Sequence, residues 1–130
     1  VAIVAPAEPA LDGLVARVAP ALVGGNAVVV VASEAHPLAA IELAEAVATS
    51  DVPAGVVNVL TGVRSELAPV LASHMDVNAI DLTGAADDVA ELERLAADNV
   101  KRVVRNGEGQ SPWHAAAFLE LKTVWHPIGV

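Results

Sequence analysis

Ala27 to Ala32 is six apolar residues in a row, four of them valine, and no other stretch constrains the fold as tightly. A continuous β-branched run of this length, bounded by turn signals, is the pattern of a strand covered on both faces. Gly24 and Gly25 precede it, and glycine reaches the left-handed conformation of a helix C-cap without steric cost. Asn26 adds a second turn-tolerant residue. The run therefore reads as the end of a helix, a glycine turn and a buried strand. Ser33 and Glu34 fall just past its carboxyl end, where open α/β sheets place their ligands.

The rest of the chain repeats that unit. Val1 to Ala5 is a short apolar strand closed by Pro6, and Glu8 and Pro9 open a helix that runs to about Val23. Leu11, Leu14, Val15, Val18 and Leu22 make its apolar stripe, and Pro20 lies inside it as a kink. Pro37 begins a second helix, Leu38 to Thr49, with Leu38, Ile41 and Val47 expected inward and Glu42 and Glu45 outward. Val56 to Leu60 is the next strand, Arg64 to Ser73 a short helix, and Val77 to Leu82 a further strand. Ala85 to Asn99 is the clearest helix, with Asp87 and Asp88 at its positive end. Val100 to Val104 is expected as a strand, 106–112 as a loop, and Phe118 to Trp125 as a last strand. Alternating strands and helices predict an α/β fold, a Rossmann-like doubly wound and mainly parallel sheet, with a C-terminal edge strand.

Composition narrows what such a domain can do. None of the 130 residues is a cysteine, which removes disulfides, thiolate metal sites and a cysteine nucleophile from this chain. The net charge of -9 opposes binding to phosphate backbones, and with two tryptophans, one phenylalanine and no tyrosine there is no base-stacking platform, so no nucleic-acid partner is expected. No apolar run reaches the about 18 residues that span a bilayer, and no signal peptide is visible, so no membrane partner and a cytoplasmic location are expected. The charge is uneven: Val1 to Glu93 carries 13 acids and 2 bases, Arg94 to Val130 carries 5 bases and 3 acids. The chain does not start with methionine and opens inside an apparent strand, so it is expected to be one segment of a longer protein.

Several short motifs, in one order and at matching spacing, resemble the cofactor-binding domain of the aldehyde dehydrogenase superfamily. They are Ala19-Pro20-Ala21-Leu22 with Gly25-Asn26 and Ser33-Glu34, then Pro53-Ala54-Gly55-Val56-Val57-Asn58-Val59. Val77, Ile80 and Thr83-Gly84 come next, then Val100-Lys101-Arg102-Val103, and Gly109 with Ser111-Pro112. The tail from Phe118 to Trp125 resembles the family's C-terminal oligomerisation strand. The resemblance implies two parts: a degenerate cofactor-binding domain over residues 1–112 and an oligomerisation strand over 113–130, with the intervening catalytic domain missing. A degenerate copy of this kind is similar to the C-terminal half of the family-sixteen aldehyde dehydrogenases, where it is thought to act in assembly.

What the resemblance implies for the site is loss. The family's nucleophile is a cysteine of the absent domain, and its general base, a glutamate, corresponds to Asn106; Glu108 lies two residues on. The turn after Pro6 continues Ala7-Glu8 and lacks the family's oxyanion asparagine. No catalytic residue is therefore expected. The family's ribose-side lysine and the proline after it correspond to Val31 and Ala32, and the second glycine of its phosphate turn to Val89. Ser33, Glu34, Thr83 and Gly84 remain as vestigial cofactor-binding positions. Asp87 and Asp88 place negative charge where a pyrophosphate would sit, so the expected cofactor is none, or NAD held weakly. NADP is further disfavoured, because its extra phosphate needs a cation near Glu34 and the sequence offers none nearby.

Other candidates are weaker. His36, His74, His114 and His126 lack metal-ligand spacing, and Asp87 with Asp88 reads as helix-start capping rather than a magnesium site. Ser33 has no base and orienter implied beside it. The expected function is a non-catalytic domain with a structural or assembly role in a larger aldehyde dehydrogenase. Its partner would be another such domain or subunit, or a second copy, engaged through Phe118 to Trp125. The alternative is a piece of an active NAD-dependent enzyme whose cysteine lies in another segment or chain, so that the chain alone is no enzyme while its parent is. A free nucleotide-binding module is the third class.

Overall fold

The computed structural model describes residues 1–105, 111–120 and 122–129. Five strands, β1 (Ala2–Val4), β2 (Val28–Val31), β3 (Val57–Leu60), β4 (Ala79–Asp81) and β5 (Arg102–Val104), form one sheet in the order β3-β2-β1-β4-β5. Every pairing is parallel, with Ile3 opposite both Val30 and Asp81, Val30 opposite Val59, and Ile80 opposite Val103. The helices are α1 (Ala10–Val23), α2 (Pro37–Ala48), α3 (Arg64–Ser73), α4 (Val89–Ala97) and α5 (Pro112–Ala116). This is the expected α/β, doubly wound sheet, and the order reverses at β1, its innermost strand.

Alternate residues of the central strands enter two separate cores, which explains why their sequence is apolar without interruption. Ile3, Val28, Val30 and Ala79 pack with Leu14, Val18 and Ala21 of α1, Ala40 of α2 and Phe118. Ala2, Val4, Val31 and Ile80 pack on the other face with Ala68, Leu71 and Ala72 of α3 and Leu92 and Ala96 of α4. None of the described helices is long and apolar enough to cross a membrane.

The structure corrects several expectations. The described residues of the tail form no strand: Phe118 is buried, while 119, 120 and 122–129 are exposed and without regular structure, and Leu121 lies outside the described residues. A short helix, α5, precedes it instead, with Ser111 as N-cap accepting from the Trp113 N–H and Pro112 in its first turn. Leu38 and Ile41 do not face inward; both are exposed, and the buried contact of α2 is Ala40. The outer stripe of α1 is also exposed at Leu11 and Val15, whereas Arg17 is buried. The helix expected from Ala85 divides into a 3₁₀ turn over Ala86–Asp88 followed by α4, so Asp87 and Asp88 belong to the turn. Val100 is no strand residue: its φ of 58° is left-handed, and β5 begins two residues later.

Candidate functional site

The carboxyl ends of the strands gather the residues singled out in the sequence. Ser33 and Glu34 follow β2, Thr83 and Gly84 follow β4, and the loop Ala5 to Pro9 follows β1 between them in the sheet order. Asn106, Glu108 and Gly109, the positions compared with the family's base and glycine, lie outside the described residues.

Each described candidate is engaged by its own chain except Glu34. The Ser33 hydroxyl is buried, donates to the Ala7 carbonyl at 3.1 Å and accepts the His36 N–H at 3.2 Å. Glu8 Oε1 lies 2.5 Å from His36 Nε2, so the loops after β1 and β2 are tied twice. A serine, a histidine and a glutamate thus meet here, yet the serine touches the histidine's backbone and not its ring. This is a strap between loops and not an activated nucleophile. The Glu34 side chain is exposed, as a ribose-binding carboxylate or a solvated turn residue would be.

Gly84 approaches the β1 backbone so closely that glycine is required by packing alone. A Cβ there would lie 2.2 Å from the Ala5 carbonyl carbon and 2.3 Å from its oxygen, while the Gly84 N–H donates to Val4 at 3.1 Å. The Thr83 N–H donates to Asp81 Oδ1 at 2.8 Å. Asp81 itself is fully buried, and loss of water pushes its carboxyl above its ordinary value of 3.8. Hydrogen bonds from Thr83 and the charges of Arg17 and His114 oppose that rise without cancelling it.

Arg64 is the member of this end that the sequence did not single out. From the first turn of α3, its Nη1 donates to the Gly84 carbonyl at 3.1 Å, and its Nε stands 3.7 Å from Asp88 Oδ2. A cation is therefore present at the rim, already paired with a carbonyl and a carboxylate of the phosphate-side turn. Only the position right after a strand, at the start of a helix, signals it in the sequence. Among the described residues no group of His, Asp and Glu could hold a metal ion.

Residues 1–127 match the model of the aldehyde dehydrogenase family. Aldehyde dehydrogenase 1A1 of Equus caballus is 37% identical over 109 residues, covering 82% of this chain and 22% of its own. Betaine aldehyde dehydrogenase of Staphylococcus aureus, solved in complex with NAD+, superposes with a TM-score of 0.74 at 28% identity, over 78% of this chain and 20% of that one. Aldehyde dehydrogenase C of Pseudomonas syringae, complexed with NAD+ and octanal, gives a TM-score of 0.70 at 32% identity, over 80% and 21%. The chain spans about a fifth of the length of these relatives, and it belongs to the aldehyde dehydrogenase family.

Proposed function

We propose that this chain is a non-catalytic domain of the aldehyde dehydrogenase family with a structural, assembly-directed role, holding NAD weakly or not at all. One observation carries the reading: the sequence has no cysteine to form the thiohemiacetal of aldehyde oxidation. The cofactor end supports it. A dinucleotide needs free backbone donors and a positive helix start for its pyrophosphate. Here Gly84 is filled by Ala5, Ser33 is turned inward, Arg64 is occupied, and Asp87 and Asp88 stand in the turn before α4. These residues do not fit the group, so no hydride-transfer step is assigned to them.

The tail from Phe118 to Trp125 is the assembly element in this reading. Phe118 anchors it in the core, and the exposed apolar residues Leu119, Val124 and Trp125 that follow suit a strand waiting for another domain, subunit or copy. A second reading is favoured by length: with about a fifth of its relatives' span, the chain could be the cofactor half of an active enzyme whose cysteine lies elsewhere.

A steady-state assay of the chain with NAD, NADP and a panel of aldehydes separates these readings when paired with calorimetric titration of NAD. The proposal expects no turnover and, at most, weak binding of NAD. A low-micromolar dissociation constant without turnover would favour the second reading, and turnover by the chain alone would overturn both.

A further inference from the structure

Asp81 is the one acid among the described residues that the fold buries, and its carboxylate is only half paired. Oδ1 accepts the Thr83 N–H at 2.8 Å, while Oδ2 is buried with no hydrogen-bond partner among the described residues. A carboxylate oxygen taken from water without a donor in exchange is costly, and a donor brought to it recovers that cost. The same loss of water makes the carboxyl hold its proton more firmly than it would in solution.

The sheet decides which donors can reach Oδ2. Side chains alternate along β4, so Asp81 shares the face of Ala79, covered by α1 and Phe118, and not that of Ile80. Ile3 of β1 and Val104 of β5 stand beside it in the ladder, and neither side chain donates or titrates. Two charges reach it, Arg17 of α1 and His114 of α5. Arg17 is buried, charged at every working pH and already engaged within the chain. His114 is part-buried, its backbone N–H donates to the Ser111 carbonyl at 3.0 Å, and its ring makes no hydrogen bond among the described residues. Helix α5 buries none of its own residues; the Ser111 cap, the Phe118 anchor and a 3.3 Å bond from Arg102 Nη1 to the Ala117 carbonyl hold its ends.

We propose that Asp81 and His114 form a proton-operated latch that fastens α5 to the sheet. In mildly acidic solution the pair holds one proton between imidazole and carboxyl, and a charge-assisted hydrogen bond reaches Oδ2 and draws α5 inward. At higher pH that proton leaves to water, the carboxylate stays charged and buried, and α5 loosens. The closed latch binds the proton more firmly than the open one, so closure strengthens as pH falls and weakens as pH rises. The latch concerns how α5 is fastened and not what the tail binds, so it stands or falls apart from the assembly reading.

Amide hydrogen exchange of the whole 130-residue chain from about pH 5.5 to about pH 8 tests it, across the range in which an imidazole loses its charge. The readout is protection of the Ala117, Phe118 and Leu119 N–H groups, which donate to Trp113, Ala115 and Ala116, compared with the Ala5 N–H, which donates to Val31 in the sheet. Corrected for intrinsic exchange, protection at α5 should fall about tenfold relative to Ala5 as pH rises, the size of one charge-assisted hydrogen bond. His114→Gln and Asp81→Asn should each abolish that fall, and His126→Gln, which removes the imidazole of the tail, should leave it intact. Unchanged protection in the parent across the range would overturn the proposal. So would a fall in His114→Gln as steep as the parent's, or one that Ala5 shares in full, which would be a loosening of the whole fold. If Asp81→Asn fails to fold, His114→Gln decides alone.

Discussion

At the scale of single residues, Gly84 and Asp81 show how a position can match a binding motif and yet be fixed by packing. Thr83-Gly84 is legible in the sequence as a turn after a strand, but the proximity of Ala5 is not, because β1 joins β4 across some eighty residues of chain. Gly84→Ala should destabilise the fold by about 3 kcal/mol, the upper range for overpacking against backbone that cannot yield. Urea denaturation checks this, and a loss well under 1 kcal/mol would release Gly84 for a ligand role. The burial of Asp81 was equally illegible: a polar residue between Ile80 and Leu82 reads as the exposed side of a strand, yet the fold buries it fully, with Arg17 of α1 and His114 of α5 close enough to act on its charge. Its raised pKa fixes a sign. In the unfolded chain the carboxyl ionises near its ordinary 3.8, and in the fold it ionises only at higher pH. The fold therefore loses stability as pH rises from the unfolded value through the folded one, and the cost is constant above that. Asp81→Asn keeps an acceptor for the Thr83 N–H and cannot ionise. It should exceed the parent in stability at pH 7 and lose that advantage towards pH 4. A variant less stable than the parent at pH 7 would mean that Arg17 and His114 outweigh the burial.

At the scale of elements, the sequence was most readable where one residue pattern answers to one environment. The valines of β2 meet a core on both faces, so their period-free run could have no other meaning. Helix α2 misled because its packing rests on Ala40, a side chain too small to stand out beside Leu38 and Ile41. The tail misled for another reason. Its β-prone residues carry a propensity, but a strand exists only with a ladder partner, and the described tail has none in this chain. Ser111-Pro112 was the overlooked signal, since serine at the N-cap and proline in the first turn announce a helix. Phe118 follows that helix into the core beside Leu14 and Val28. Removal of everything after Pro112 should therefore cost the about 3–5 kcal/mol of a lost core phenylalanine, while a chain ending at Glu120 should unfold at nearly the full-length midpoint. Equal stability of both truncations would show that Phe118 is not the anchor of the tail.

At the scale of the whole molecule, the sheet is closed on both faces by helices, and its ligand-side rim is closed by the chain itself. The strap of Ser33, Ala7, His36 and Glu8 lies at one side and the Arg64–Gly84 bond at the other. The ties from Ser33 to Ala7, from His36 to Glu8 and from Arg64 to Gly84 could not be read from the sequence, because each joins segments that follow different strands; the departures from the family pattern expected at Val31 and Val89 could. Both point against dinucleotide binding, and linkage makes that measurable. A ligand at a hundred times its dissociation constant stabilises the fold by about 2.7 kcal/mol. For a domain of this size each kcal/mol raises the melting temperature by roughly 3–6 °C. Millimolar NAD acting on a site with a dissociation constant of about 10 μM would therefore shift melting by about 10 °C, well beyond the error of a scan. The expected shift is under 1 °C with NAD, and NADP should do no better, since its extra phosphate would meet Glu34 and its pyrophosphate Asp87 and Asp88, with Arg64 already paired. Neutralising Asp87 and Asp88 to asparagine should leave that result unchanged, because Gly84 stays filled and Ser33 stays turned inward. If the asparagine variant melts several degrees higher with NAD, charge alone closes the rim and the packing argument fails; if the parent does, the rim is open and this domain still binds its family's cofactor.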